Sequence, residues 1–304
     1  MIGLLLAMVG VAALPACGAC GKKRRKADKA YAVFPRESDV LLGIDGPALR
    51  HGHYKRLEAA LPDSGRQAVA QLRSCGIDPV EGVERLIAAG SSKTRRVLAR
   101  ITGFTRQDFT QCGEVAREIK IAGQGESMTF TLRGKTSHVA WLDERSILTG
   151  PAWTAPELTE LAAGKGGLDR QDDLMDMVDE VDTAAPLWVA WAPADGPMEV
   201  PMVGHILGAR ATLSMASGLE VVLAAKLASY QEAKDAVALL TAALPQFKED
   251  AGDLAPFLDR IQVEADGDTV KAEVSLNPSE TARLISAVES NPTVRSALRD
   301  VLPF

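Results

Sequence analysis

The chain offers four histidines and four cysteines in 304 residues, and their spacing decides how much chemistry they can support. His51-Gly52-His53 sets two imidazoles side by side. A metal centre needs three or four ligands, and no cysteine or carboxylate close in sequence completes the set. RHGHYK therefore reads as a surface segment that caps or opens a helix. His138 falls within an alternating, strand-like stretch and His205 in a loop after Pro201, both in structural roles. Gly125-Glu126-Ser127-Met128-Thr129 begins like a nucleophile elbow but has Thr where the second Gly must let strand and helix approach, so it reads as a hairpin loop. Ala163-Gly164-Lys165-Gly166-Gly167 lacks the earlier Gly and the following Ser or Thr of a phosphate loop and reads as a flexible linker. The acidic run Asp169–Asp182 has neither the alternating ligands nor the closing Glu of a calcium loop. The expectation is a protein with no catalytic residues, no metal and no cofactor.

The N-terminus carries more information. Residues 1–16, MIGLLLAMVGVAALPA, form an uncharged apolar run that ends in small residues before a cysteine, the shape of a signal peptide. Leu14-Pro15-Ala16-Cys17 resembles the lipobox of bacterial lipoproteins. That resemblance implies removal of residues 1–16, a diacylglycerol on the Cys17 sulfur, and acylation of the new amino terminus. Several acyl chains hold a protein far more firmly than one. Gly18, where an inner-membrane retention signal would be Asp, implies the outer membrane, with the body in the periplasm or at the cell surface. Lys22, Lys23, Arg24, Arg25 and Lys26 would then lie against anionic headgroups, each adding roughly 1 kcal/mol. A rival reading takes the uncharged stretch through Cys20 as a membrane span with this basic cluster on the cytoplasmic side.

Charge separates this tether from the rest. Segment 22–29 carries six basic residues against Asp28, a net +5, and residues 30–304 carry −11 of the overall −6. An acidic body is a poor match for nucleic acid, whose affinity comes from Lys and Arg neutralising phosphates. Aromatics are 5% of the chain, too few for a base-stacking platform. Of the cysteines, Cys17 and Cys20 belong to the anchor, leaving Cys75 and Cys112 in similar contexts, Ser74-Cys75-Gly76 and Gln111-Cys112-Gly113. An oxidising periplasm would let them pair, closing a loop that stabilises by about 3 to 4 kcal/mol. Two separate buried thiols are the alternative.

The elements that would position these groups suggest an α+β body. DVLLGID, from Asp39 to Asp45, reads as a buried strand, followed by helices over Ala48 to Leu61, 65–75 and 79–89, the last opened by Asp78-Pro79. The order strand, helix, hairpin, helix then occurs twice. The first pass is Arg96–Thr102, Arg106–Glu118, Met128–Arg133 with Ser137–Leu142, and Pro156–Ala163. The second is Leu219–Leu227, Tyr230–Leu244, Ile261–Ala265 with Thr269–Leu276, and Pro278–Ser290. In the second hairpin, apolar and polar residues alternate around Asp266-Gly267-Asp268. Leu174, Met177, Val178 and Val181 give the acidic stretch an apolar side at helical spacing, and it reads as a linker helix. The expected architecture is two related strand-helix-hairpin-helix units, antiparallel sheets covered by helices. They follow the signal peptide (1–16) and the lipidated tether (17–32), at 33–183 and 184–304, with Leu187–Ala192 (LWVAWA) leading the second.

Trp188 and Trp191 point to opposite faces of that strand, because side chains alternate with period 2. One could line a groove with Trp153 and Met198, or all could be core. The functional expectation is a lipid-anchored envelope protein that binds another envelope protein or a small apolar ligand. The alternatives are an assembly factor docking a basic partner, and a hydrolase whose acids or serines come from distant segments.

Overall fold

A computed structural model describes residues 30–50, 70, 73–74, 76–115, 119–122, 127–132, 135–150, 152–201 and 203–290. They form an α+β structure in two compact units that meet in sequence at Ala194 and Asp195.

The first unit is built on an antiparallel sheet. Its strands are β1 (Val40–Asp45), β2 (Arg85–Ser91), β3 (Arg96–Thr102), β4 (Ile119–Ala122), β5 (Ser127–Leu132), β6 (Lys135–Trp141), β7 (Ser146–Gly150) and β8 (Leu187–Trp191). Their spatial order is β8-β1-β2-β3-β7-β6-β5-β4. DVLLGID is thus an interior strand, hydrogen-bonded on both sides, which is why it reads as almost continuously apolar. LWVAWA pairs with it and belongs to the first unit rather than leading the second.

The helix expected over 79–89 is confined to one turn, Pro79–Gly82, before the chain enters β2. Leu, Ala and Arg favour helix locally, but Arg85–Ser91 gains ladders to β1 and β3 and buries Ile87 and Ala89 on one face. Tertiary pairing overrides propensity here. The helices expected at Ala48 to Leu61 and 65–75 fall largely outside the described residues. The later helices are α3 (Arg106–Val115), α4 (Ala155–Glu160) and α5 (Asp172–Glu180), after the single turns α1 (Gly46–Leu49) and α2 (Pro79–Gly82).

Helix α5 is a core element and not a linker. Leu174, Met175, Met177 and Val178 are buried with Phe34, Leu41, Leu98, Leu158 and Trp188 in one cluster. The Gly-rich segment before it is equally committed. Leu161–Lys165 forms a wide helical turn, Gly167 N–H donates to the Ala32 carbonyl at 3.0 Å, and Leu168 N–H donates to that of Phe34 at 3.1 Å. A Cβ at Gly166 would meet the Phe34 carbonyl oxygen at 2.1 Å. Gly166 serves close backbone approach, and Gly167, at φ 82°, supplies a left-handed turn.

The second unit contains β9 (Met198–Val200), β10 (Gly204–Ser214), β11 (Leu219–Leu227), α6 (Tyr230–Asp250), α7 (Ala255–Leu258), β12 (Ile261–Asp266), β13 (Thr269–Leu276) and α8 (Pro278–Ser290). Its sheet runs β10-β11-β13-β12, with β9 also on β10. Helix α6 packs Ala233 and Ala236 onto Leu227 and Val270. His205, expected in a loop, is the second residue of β10.

In the first unit, β2-β3-β7-β6 are joined as hairpin, helix, hairpin, helix, with β4 and β5 between that helix and the second hairpin. In the second unit, β10-β11-β13-β12 are joined as hairpin, helix, hairpin, helix.

Candidate functional site

Several carboxylates of the described residues are held by hydrogen bonds at helix starts. At α4, Glu157 accepts from the backbone N–H and the hydroxyl of Thr154, both at 2.8 Å, and from Arg96 Nη2 at 2.9 Å. These bonds, chiefly the one from the Thr154 backbone, hold its carboxyl down at about 2 from an ordinary 4.5. Arg96 in turn lies 3.4 Å over the Trp153 ring, and Trp153 Nε1 donates to the Val97 carbonyl at 3.0 Å. Thr105 with Asp108 and Asn277 with Glu280 close α3 and α8 in the same reciprocal way. Because the Glu157 carboxyl is lowered in the folded state, its contribution is complete above about pH 4.5 and disappears as pH falls toward 2. Glu157→Ala should lower stability at neutral pH by about 1 kcal/mol, the scale of a lost cap, and flatten the acid limb between those values in urea midpoints measured against pH.

The start of α6 departs from this scheme. Ser229 Oγ accepts from Glu232 N–H at 3.2 Å, but the Glu232 carboxylate turns to β10, accepting His205 N–H at 2.9 Å with His205 Nδ1 at 3.3 Å. Burial opposes its ionisation, yet the bonds from His205 and the Ala228 backbone outweigh that and leave it below the ordinary carboxylate range. Gly204, at φ 111°, admits this approach, since a Cβ there would fall 2.7 Å from Glu232 Oε2. Glu199, paired with His205 across β9–β10, and Asp235 complete the rim of a shallow cleft of about 300 Å³. The geometry suits a basic or polar surface group better than an enclosed apolar ligand. A second open cleft, about 450 Å³, lies between Phe257 and Arg283.

The expected site residues disperse. Trp188 is 1% exposed against Gly43 and Trp153 is buried, so both belong to the first unit's core and line no groove. Trp191 is half-buried on the opposite face, and Met198 is buried in the second unit. Cys112, on α3, is fully buried and disulfide-bonded. Cys17, Lys22, Lys23, Arg24, Arg25, Lys26 and Cys75 lie outside the described residues, as do His51 and His53. The Glu232–His205 pair escaped the sequence reading, although Ser229-x-x-Glu232 is the spacing of a capping box, as are Thr154-x-x-Glu157 and Asn277-x-x-Glu280. Among the described residues no cluster of His, Cys, Asp and Glu could hold a metal ion, and no helix is long and apolar enough to cross a membrane.

The fold is that of an α+β protein with extensive antiparallel sheet and helices packed against it. The same architecture occurs in TP0453. Its crystal form III superposes with a TM-score of 0.52 at 8% identity, covering 84% of this chain and 96% of that one. Form I gives 0.51 at 9%, covering 88% and 99%. At such identity the likeness is one of fold. No family model and no curated protein matches the chain.

Proposed function

We propose that the chain is an exported lipoprotein of a bacterial envelope, anchored through Cys17 with Lys22 to Lys26 at the headgroups, whose body works by binding rather than catalysis. The observation that best supports binding is the use of its rigid carboxylates. Glu157, Glu232 and Glu280 are all engaged by backbone N–H groups at helix starts or at a strand, where their charge supports the fold. The supports for export are the apolar run and Leu14-Pro15-Ala16-Cys17. The shared connectivity of the two sheets further supports descent from a duplicated unit.

Intact mass of the protein from its membrane fraction, beside Cys17→Ser, tests the anchor. Residues 17–304 plus acyl chains, lost in the variant, is the expected result; an unprocessed, unmodified chain in both would favour a membrane span at residues 1–20 and overturn the lipoprotein reading. Salt-sensitive co-purification of a basic envelope protein would favour the assembly-factor form of the binding reading.

We further propose Cys75 as the partner of Cys112. Cys112→Ala and reductant should each lower stability by about 3 to 4 kcal/mol, with no additional loss when combined. Identical melting of the wild type with and without reductant would exclude the pairing.

A further inference from the structure

We propose that β12 is a docking edge for an extended, basic strand of a partner protein, a claim that rests on the binding reading and assigns that partner its chemistry. β12 ends the second unit's sheet, and among the described residues it is paired with β13 alone. The two strands are joined by Gly267 and Asp268, with Asp266 opposite Thr269. Residues flanking a two-residue turn form a hydrogen-bonded pair, and such pairs alternate along an antiparallel ladder. Gln262, Glu264 and Asp266 therefore bond inward to β13, and Ile261, Val263 and Ala265 turn their N–H and C=O groups to the open edge.

Natural edge strands are blunted by proline, bulges or charged side chains, lysine above all. β12 has neither proline nor lysine, its register with β13 is unbroken from Ile261 to Asp266, and its charges are acidic. What distinguishes it is charge. The exposed face carries Gln262, Glu264 and Asp266, and across the ladder one lysine, Lys271, faces Glu264, Asp266 and its ion-pair partner Glu273. Like charges opposite one another destabilise a strand pair and opposite charges support it. A second copy of β12 would oppose carboxylates with carboxylates. A strand alternating Lys or Arg with small apolar residues would instead oppose Glu264 and Asp266 with cations, and place its other side chains beside Val263 and Ala265, which are half-buried under α6.

The test uses the detergent-solubilised full chain and the peptide Lys-Val-Lys-Thr-Lys-Val-Lys, read by amide hydrogen exchange. Exchange at Val263 and Ala265 should slow by about tenfold at saturation, an effect of roughly 1.4 kcal/mol. The same residues arranged as Lys-Lys-Lys-Lys-Val-Val-Thr should give no such protection. Ala265→Pro removes only an outward N–H, a substitution edge strands accept, and should abolish binding without changing the circular dichroism. Should it not fold, Glu264→Lys, at an exposed position, decides through a weakening of about tenfold. Unchanged exchange at both residues, equal protection by the rearranged peptide, or undiminished binding by Glu264→Lys would overturn the proposal. An unmodified Cys17 would overturn the lipid anchor and leave this result standing.

Discussion

Trp188→Ala should cost about 3 to 5 kcal/mol, the range for emptying a buried aromatic site, and is expected to leave the first unit only marginally folded. Trp188 is 1% exposed, and its indole fills the space that Gly43 leaves by having no side chain. A Cβ at Gly43 would lie 2.1 Å from the indole. The backbone beneath cannot yield, because β1 is held by β2 on one side and by β8, the strand bearing Trp188, on the other. Gly43→Ala should therefore destabilise by about 1 to 3 kcal/mol through overpacking. The two positions form one packing unit, so Gly43→Ala should be nearly harmless once Trp188 is Leu. Urea midpoints of the two single variants and the double variant measure this, with an expected coupling of about 1 kcal/mol or more. Additive losses would mean that strand and indole are fitted independently.

Phe34→Ala should be comparably severe, at about 3 to 5 kcal/mol, with a consequence that a change in the sheet would not have. Phe34 is fully buried, and its carbonyl and that of Ala32 accept N–H groups from Leu168 and Gly167. Tyr31 and Val33 are buried beside it. The start of the body is thus fastened at a seam where Pro35 bridges Gly167. Loss of the ring should open that seam before the sheet unfolds, and trypsin cleavage at the exposed Arg36 should accelerate relative to sites elsewhere. Cleavage at Arg36 rising only in step with global unfolding would show that the seam has no stability of its own.

The sequence was most informative where burial alternates. β12 and α8 lie where their patterns place them, β12 with an open face at Gln262, Glu264 and Asp266; β3 and β11 also lie where expected, as strongly apolar stretches, although most of their length is half-buried. The apolar side of α5 was equally legible, and Met175 joins it because that helix is covered over a wider arc. β10 was not. GHILGARATLS mixes polar and apolar residues, and most of its length is half-buried, so neither period dominates. β2 was concealed by residues that favour helix when isolated. Gly166 and Gly167 have the composition of a linker and act as a seam, because what a missing side chain makes room for is set by Phe34, more than a hundred residues earlier. The tryptophans were placed on the right faces of β8. Whether a face meets a core or a groove depends on what covers it, which periodicity does not encode.

The fastening at Ala30 to Pro35 also sets a length. Were Cys17 lipidated as proposed, the stretch from Cys17 to Lys29 would set an upper bound of roughly 45 Å, its fully extended length, on the distance from bilayer to body. Adsorption of the basic cluster to headgroups would shorten it further. If the proposed anchor holds, the body would work within that distance of the bilayer, and its partners would be those that come within it. Lengthening that stretch, and not altering the body, would be the way to widen its range.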